Sequence, residues 1–184
     1  INLSNTNRFD QVNVVLGQAI NLSAFFTTHL YGGLQYAAIR NYQLQKDVSL
    51  PPTVNQQRNS EYNGIGPVVG FDAAYPFLPR LSLAVHSQAS VLRGVNPFIL
   101  SNGVTSGLVI SNRSANATII VPSISEKIGV QYTRQLVSGL LTADAGFQAL
   151  NYFHALSVFT SSHLINGDFA LYGPYFGIHW LADV

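Results

Sequence analysis

Apolar and polar residues alternate with a period of two along most of this chain. In segment 170–180, Phe176 and Ile178 share one register, while His179 occupies the other. Four further segments show the same alternation: 62–75, 81–91, 121–134 and 140–151. Because successive side chains of a β-strand point to opposite faces of its sheet, this pattern predicts strands with one apolar and one polar face. Glu126 is an exception in the apolar register, and it predicts a bulge or a site near the rim.

The N-terminal third is predicted to contribute two strands. Apolar residues between positions 12 and 26 share one register, broken only by Gln18, and they predict one long strand over 9–27. Segment 31–45 predicts the second strand. A division at Gly17–Gln18 would give a hairpin and eight shorter strands, but no Asn-Gly or glycine-rich turn occurs there. The pattern therefore favours seven strands over eight.

The predicted connections between these strands alternate between short and long. The three short ones lie around Thr28–Leu30, Pro76–Arg80 and Leu136–Gly139. The three long, polar ones cover 46–60, 95–118 and 155–168. Short turns at one rim and long loops at the other are typical of outer-membrane barrels. Aromatic residues also collect near both sets of strand ends, as expected for rings at two membrane interfaces.

Composition supports a membrane-spanning barrel. Charged residues make up 9% of the chain, against about 25% in typical soluble domains. No apolar run approaches the ~20 residues that a spanning helix needs, so a closed barrel with a polar interior is the predicted way across a membrane. A net charge of +1 provides no concentrated basic face, and we therefore expect no nucleic-acid partner.

The strand count bears on how much of a barrel this chain supplies. Bacterial single-chain barrels have an even number of strands, whereas seven are counted here, and the chain contains no methionine, even at position 1. The predicted fold is therefore all-β: an antiparallel transmembrane β-barrel, comprising the C-terminal seven or eight strands of a larger barrel. Residues 1–184 are expected to form one barrel domain.

Two stretches resemble a known family. They are Asn63–Tyr75 (NGIGPVVGFDAAY) and Leu171–Trp180 (LYGPYFGIHW), and they are similar to the Legionella-type major outer membrane proteins, a pore-forming family. The order of other segments, including Phe9–Gly17 and Tyr31–Arg40, is also similar. The resemblance implies a longer, signal-peptide-bearing porin of the bacterial outer membrane, oligomeric and in contact with its lipid and lipopolysaccharide. Family members can be disulfide-linked, but this chain has no cysteine, so a homo-oligomer through this segment would be non-covalent.

The polar register supplies the candidate functional residues. The candidate pore-lining residues are Gln35, Asp72, His86, Gln88, Lys127, Gln131, Asp144, Gln148 and His179. The five histidines show no metal-ligand spacing such as HExxH, and Asp72, His86 and Asp144 have no matching serine or second acid. We therefore predict no metal, no cofactor and no enzymatic activity, and we interpret these groups as solvated lumen residues.

Two functions remain open at this point. The first is a porin, a water-filled channel for passive diffusion of ions and small solutes. The alternative is a non-conducting surface protein whose loops 46–60, 95–118 and 155–168 bind a host or matrix partner. The apolar residues of 95–118 fit recognition, a lumen constriction or an extra hairpin. The Gln, Asn, Asp, Thr and Gly of the polar register favour a wet interior and hence the channel.

Overall fold

The computed structural model describes residues 2–23, 26–47, 54–104, 109–136, 139–160 and 163–182. These residues form seven strands: β1 (Asn2–Ser23), β2 (Phe26–Asp47), β3 (Val54–Leu78), β4 (Leu81–Val104), β5 (Val109–Leu136), β6 (Gly139–Thr160) and β7 (His163–Ala182). The predicted all-β class is confirmed. Within the same ranges, no helix combines the length and the apolar character needed to cross a membrane.

The seven strands form one antiparallel sheet in the order β1 to β7, so each strand pairs with its neighbours along the chain. The sheet curls into a half-barrel. β1 pairs with β2 continuously from Asn2 to Asn21, and Gly17 and Gln18 lie inside this ladder. A single strand therefore passes through Gly17–Gln18 as predicted, and the alternative hairpin there is wrong. The predicted bounds of 9–27 are also wrong, because β1 covers Asn2–Ser23 and residues 26–27 belong to β2.

Two of the predicted tight connections lie at strand ends. Residues 79–80 form the turn between β3 and β4, where Arg80 adopts a positive φ of 77°. The Arg80 carbonyl accepts a hydrogen bond of 2.9 Å from the backbone N–H of Thr133 and ties this turn to β5. β5 ends at Leu136 and β6 begins at Gly139, as the sequence predicts.

The third predicted tight connection, Thr28–Leu30, is wrong. These residues lie inside β2 and pair with Ala73 to Phe71 of β3. The alternation of β2 extends back through Leu30, His29 and Thr28, and β-branched threonine suits a pleated strand. The polar His29 therefore lies in the inner register opposite Asp72, whereas Thr28 lies in the outer register with Leu30.

The three predicted long loops are mostly strand, which corrects their bounds. β4 ends at Val104 and β5 begins at Val109, so most of 95–118 is paired. The alternation continues there, since Phe98 and Leu100 are buried while Ile99 is exposed. Strands likewise occupy most of 46–60 and 155–168. Segments 48–53, 105–108 and 161–162 lie outside the described residues.

The two faces of the curled sheet differ in composition. Large apolar side chains project from the outer face; Phe176 is 79% exposed and Ile178 is 74% exposed. Val69, Phe71 and Phe147 of the same register are exposed as well. The inner face carries a buried cluster formed by Ala37, Ile39, Tyr62, Leu92, Val121, Tyr152, Ala155 and Phe169.

This inner cluster brings the first and last strands close together. The ring of Phe9 on β1 stacks against Phe169 on β7, with 5.5 Å between ring centroids, and it lies 5.6 Å from the ring of Tyr152 on β6. These contacts cross the interior, since β1 and β6 are not neighbours in the sheet. The curl of the sheet thus closes the interior with aromatic side chains at this level.

Candidate pore lining

A row of polar side chains crosses the inner face between β2 and β6. His29, Asp72, His86, Lys127 and Gln148 occupy directly opposite positions on five successive strands. Asp72 joins two histidines, because its Oδ1 lies 2.9 Å from His86 Nδ1 and its Oδ2 lies 3.4 Å from His29 Nδ1. All three side chains are partly exposed. The row therefore places charged groups in contact with solvent on the inside of the sheet.

A second carboxylate lies on β6. Asp144 Oδ1 is within ion-pair distance of His179 Nε2, at 3.0 Å, and the Asp144 side chain is only 9% exposed whereas that of His179 is 72% exposed. Lys127 Nζ lies over the ring of Tyr175, 5.3 Å from its centroid. Both acids therefore have a histidine beside them, and the lysine packs on an aromatic ring.

These side chains surround two adjoining cavities. The first, of about 180 Å³, is lined by Tyr31, Asp72, His86, Gln88, Ser125, Lys127, Asp144 and His179. The second, of about 250 Å³, is lined by His86, Gln131, Thr142, Asp144 and His179. Because three residues line both, we call the two together the charged chamber. Its volume and polar walls suit several water molecules or a small hydrated solute.

A closed ring of five hydrogen bonds lies next to the charged chamber. Gln11 donates to Asn13 (3.1 Å), Asn13 to Gln88 (2.9 Å), and Gln88 to Gln35 (2.8 Å). Gln35 donates to the Tyr152 hydroxyl (2.6 Å), which donates back to Gln11 (3.0 Å). We call this cycle the hydrogen-bonded ring. Each of its side chains donates once and accepts once. It joins β1, β2 and β4 to β6 across the interior.

The structure brings most of the predicted pore-lining residues together. Six of them line the first cavity: Asp72, His86, Gln88, Lys127, Asp144 and His179. Gln131 lines the second cavity, and Gln148 lies opposite Lys127. Gln35 is fully buried and belongs to the hydrogen-bonded ring. All nine lie in the inner register.

Two residues of the inner face, His29 and Tyr152, were not among the predicted pore-lining residues. His29 was predicted in a turn, although its odd number places it in the register of Tyr31 and Gln35 once the strand is extended backwards. Tyr152 shares the register of Gln148, so the period of two alone could have assigned it to the interior. Its partners on β1 and β2 depend on the curl of the sheet and have no signal in the sequence.

Glu126 lies on the outer face, and the predicted bulge or rim position is wrong. The β4–β5 and β5–β6 ladders run through it without a shift, opposite Ser87 and Ala149. Its Oε1 accepts a hydrogen bond of 2.6 Å from the Ser87 hydroxyl. The acid is therefore a regular member of the apolar register, with a polar partner on the next strand.

An antiparallel sheet that curls into a half-barrel, with large apolar side chains exposed outside and charged groups inside, is typical of the class of outer-membrane β-barrel proteins. The family model described as Legionella pneumophila major outer membrane protein precursor matches residues 1–182. The chain therefore belongs to this family and is located in the outer membrane. Neither the curated proteins nor the solved structures provide a match. Within the described ranges, no group of three or more His, Cys, Asp or Glu side chains is arranged to hold a metal.

Proposed function

We propose that this protein is a porin, a water-filled channel through which ions and small solutes diffuse passively. The observation that carries the proposal is the charged chamber. It places Asp72, Asp144, Lys127 and His86 around one cavity on the inside of the sheet, while large apolar side chains such as Val69, Phe147 and Phe176 are exposed on the outside at the same levels. Charged side chains are costly in lipid unless water or partners accompany them. A wet interior would accommodate the charged groups of the chamber.

The charges of the chamber set the expected ion preference. Two carboxylates, Asp72 and Asp144, face one ammonium group, Lys127. With neutral histidines the chamber carries a net charge of −1, so the channel should mildly favour cations. Screening acts over about 8 Å at physiological ionic strength, so this preference should fade in concentrated salt.

The test is the reversal potential of the purified protein in planar bilayers under a salt gradient. The wild type should conduct, and the double variant Asp72→Asn/Asp144→Asn should shift the reversal potential towards anion preference. Asp10→Asn is the matched control, because Asp10 is exposed in the outer register of β1. Unchanged selectivity in the double variant would show that these acids do not control permeation. Absence of conductance in the wild type would contradict the channel itself.

One observation favours the second candidate, a non-conducting surface protein. The buried inner cluster and the hydrogen-bonded ring fill the interior beside the charged chamber. A barrel closed at this level would act through its outer ends, where the connections near 46–60, 95–118 and 155–168 would meet a host or matrix partner. Conductance separates the two candidates. In both, the outer register would contact lipid and lipopolysaccharide, and a non-covalent homo-oligomer remains a prediction.

A further inference from the structure

The interior contains two polar compartments separated by a packed layer. The charged chamber occupies the end near the 79–80 turn. At the other end, a smaller cavity of about 60 Å³ is lined by Asn41, Gln43, Arg58, Ser60, Phe98, Leu156 and Ser157. On the four strands that line both, β2, β3, β4 and β6, the residues of the packed layer fall between the two: on β6, Tyr152 comes after Asp144 and before Ser157. A solute that moves from one compartment to the other therefore meets this layer.

The layer has a polar side and an apolar side, and Tyr152 belongs to both. Its hydroxyl takes part in two hydrogen bonds of the hydrogen-bonded ring, while its aromatic ring packs against Phe9. Gln88 belongs to the ring and also lines the charged chamber, so the ring faces the chamber directly. Tyr152 and Gln35 are both fully buried.

Rings of this kind hold their members in one arrangement, and each hydrogen bond can be replaced by a bond to water once a hydrated solute enters. A cycle in which every group donates and accepts is polarised in one direction, which strengthens each bond. Each bond has a modest net value, because water can replace either partner. A barrier made of amide and hydroxyl groups therefore opens to small hydrated solutes more easily than an apolar seal, which must expose carbon to water.

The geometry points to the hydrogen-bonded ring as the constriction of the channel, with the Tyr152 side chain setting the size limit for solutes. This inference rests on the proposed porin function and adds the residue that determines its exclusion limit. Removal of the Tyr152 side chain breaks the ring at two bonds and removes the Phe9 contact, so it opens both sides of the layer. Loss of the hydroxyl alone breaks the ring but keeps the aromatic packing.

The experiment compares Tyr152→Ala, Tyr152→Phe and wild type in planar bilayers and in liposome swelling with neutral sugars of increasing size. Single-channel conductance should rise roughly two-fold or more in Tyr152→Ala, since pore diameter limits passage, and larger sugars should enter. The conductance and the exclusion limit of Tyr152→Phe should lie between those of wild type and Tyr152→Ala. Tyr172→Ala is the matched control, because Tyr172 lies on the outer face and is 77% exposed; it should behave as wild type.

The outcomes separate this inference from the porin proposal. If Tyr152→Ala keeps the conductance and the exclusion limit of wild type, the inference about the constriction is wrong and the porin proposal is unaffected. Absence of conductance in wild type and all variants would contradict both. If Tyr152→Ala does not fold, Tyr152→Phe and Gln35→Ala decide the question, because each breaks the ring while leaving the Phe9 contact. An unchanged exclusion limit in both would overturn the inference.

Discussion

Three histidines of the inner face each lie within ion-pair distance of a carboxylate. His29 and His86 flank Asp72, and His179 lies beside Asp144. Histidine is the side chain that ordinarily changes charge between pH 5 and 8. At this scale the lining behaves as a set of fixed acids whose charge the neighbouring imidazoles can cancel. Acid pH is therefore expected to act on ion preference rather than on the shape of the barrel.

The first prediction is that acid pH reverses the ion preference. Two carboxylates and one ammonium group give the lining −1 with neutral histidines, and protonation of all three histidines makes it +2. The charged or titratable groups that face this site are His29 and Tyr31 on β2, Asp72 on β3, His86 on β4, Lys127 on β5, Asp144 on β6, and Tyr175 and His179 on β7. Reversal potentials measured at neutral and at acid pH should therefore move from cation towards anion preference as the pH is lowered.

A triple variant provides the control for this pH dependence. His29→Gln, His86→Gln and His179→Gln together should keep the cation preference over the same pH range, because the fixed acids remain. If the triple variant shows the full wild-type shift, groups outside this lining produce it, and the charge account of selectivity is wrong.

At the scale of the strand, length is the informative quantity. The seven strands contain 20 to 28 residues each, whereas a tilted strand crosses the hydrocarbon core with about 9–11. The outer register of β5 shows where the boundary falls. Ser114, Asn116 and Thr118 are polar, while Ile120 and Ile128 are apolar and exposed. The first part of β5 therefore projects beyond the membrane as a paired strand.

The second prediction follows from this boundary on β5. Ile124→Arg places a charge in the apolar belt and should cost roughly 2–4 kcal/mol of folding stability, whereas Ser114→Arg in the polar part should cost about 0–1. Both side chains lie in the outer register of the same strand, so depth is the only intended difference. Denaturant unfolding in lipid vesicles measures both. Equal costs would contradict the assigned boundary.

Periodicity predicted the strands and their faces well, but not where the strands end. The alternation assigned Val69, Phe147 and Phe176 to the outside, and they are exposed there. The predicted loops failed because a strand beyond the membrane no longer needs an apolar outer face. A segment such as 113–118 then carries serine, asparagine and threonine and has the composition of a loop, although it is paired along its length.

At the scale of the whole molecule, curvature decides what the sequence cannot predict. Tyr152 bonds Gln35, 117 residues away, and Gln11, 141 residues away. Nothing local to these residues signals such contacts, because they depend on how far the sheet curls. The same curl stacks Phe9 on Phe169. Register alone placed the nine candidate residues on the inner face, but which of them line the charged chamber and which belong to the hydrogen-bonded ring required the structure.

The contact between β1 and β7 also bears on the predicted larger barrel. Further strands inserted between these two would separate Phe9 from Phe169. The chain has no cysteine, so the pair Phe9→Cys/Phe169→Cys can be probed in the native outer membrane with a short thiol-specific cross-linker that spans the space of the two rings. Cross-linking is expected if the interior is closed as described. Its absence, with both thiols intact, would indicate that intervening strands hold the two edges apart.

The central claim is that, at the level of the charged chamber, the inner register of the sheet lines water and the outer register faces lipid. Single cysteines at Asp144, Ala145, Phe147, Gln148 and Ala149 of β6 test it directly in reconstituted bilayers with a charged, water-soluble maleimide. Cysteine reacts as the thiolate, which needs water. Positions 144 and 148 should therefore label, while 145, 147 and 149 should stay unlabelled. Labelling of the odd positions instead, or equal labelling of all five, would contradict the account.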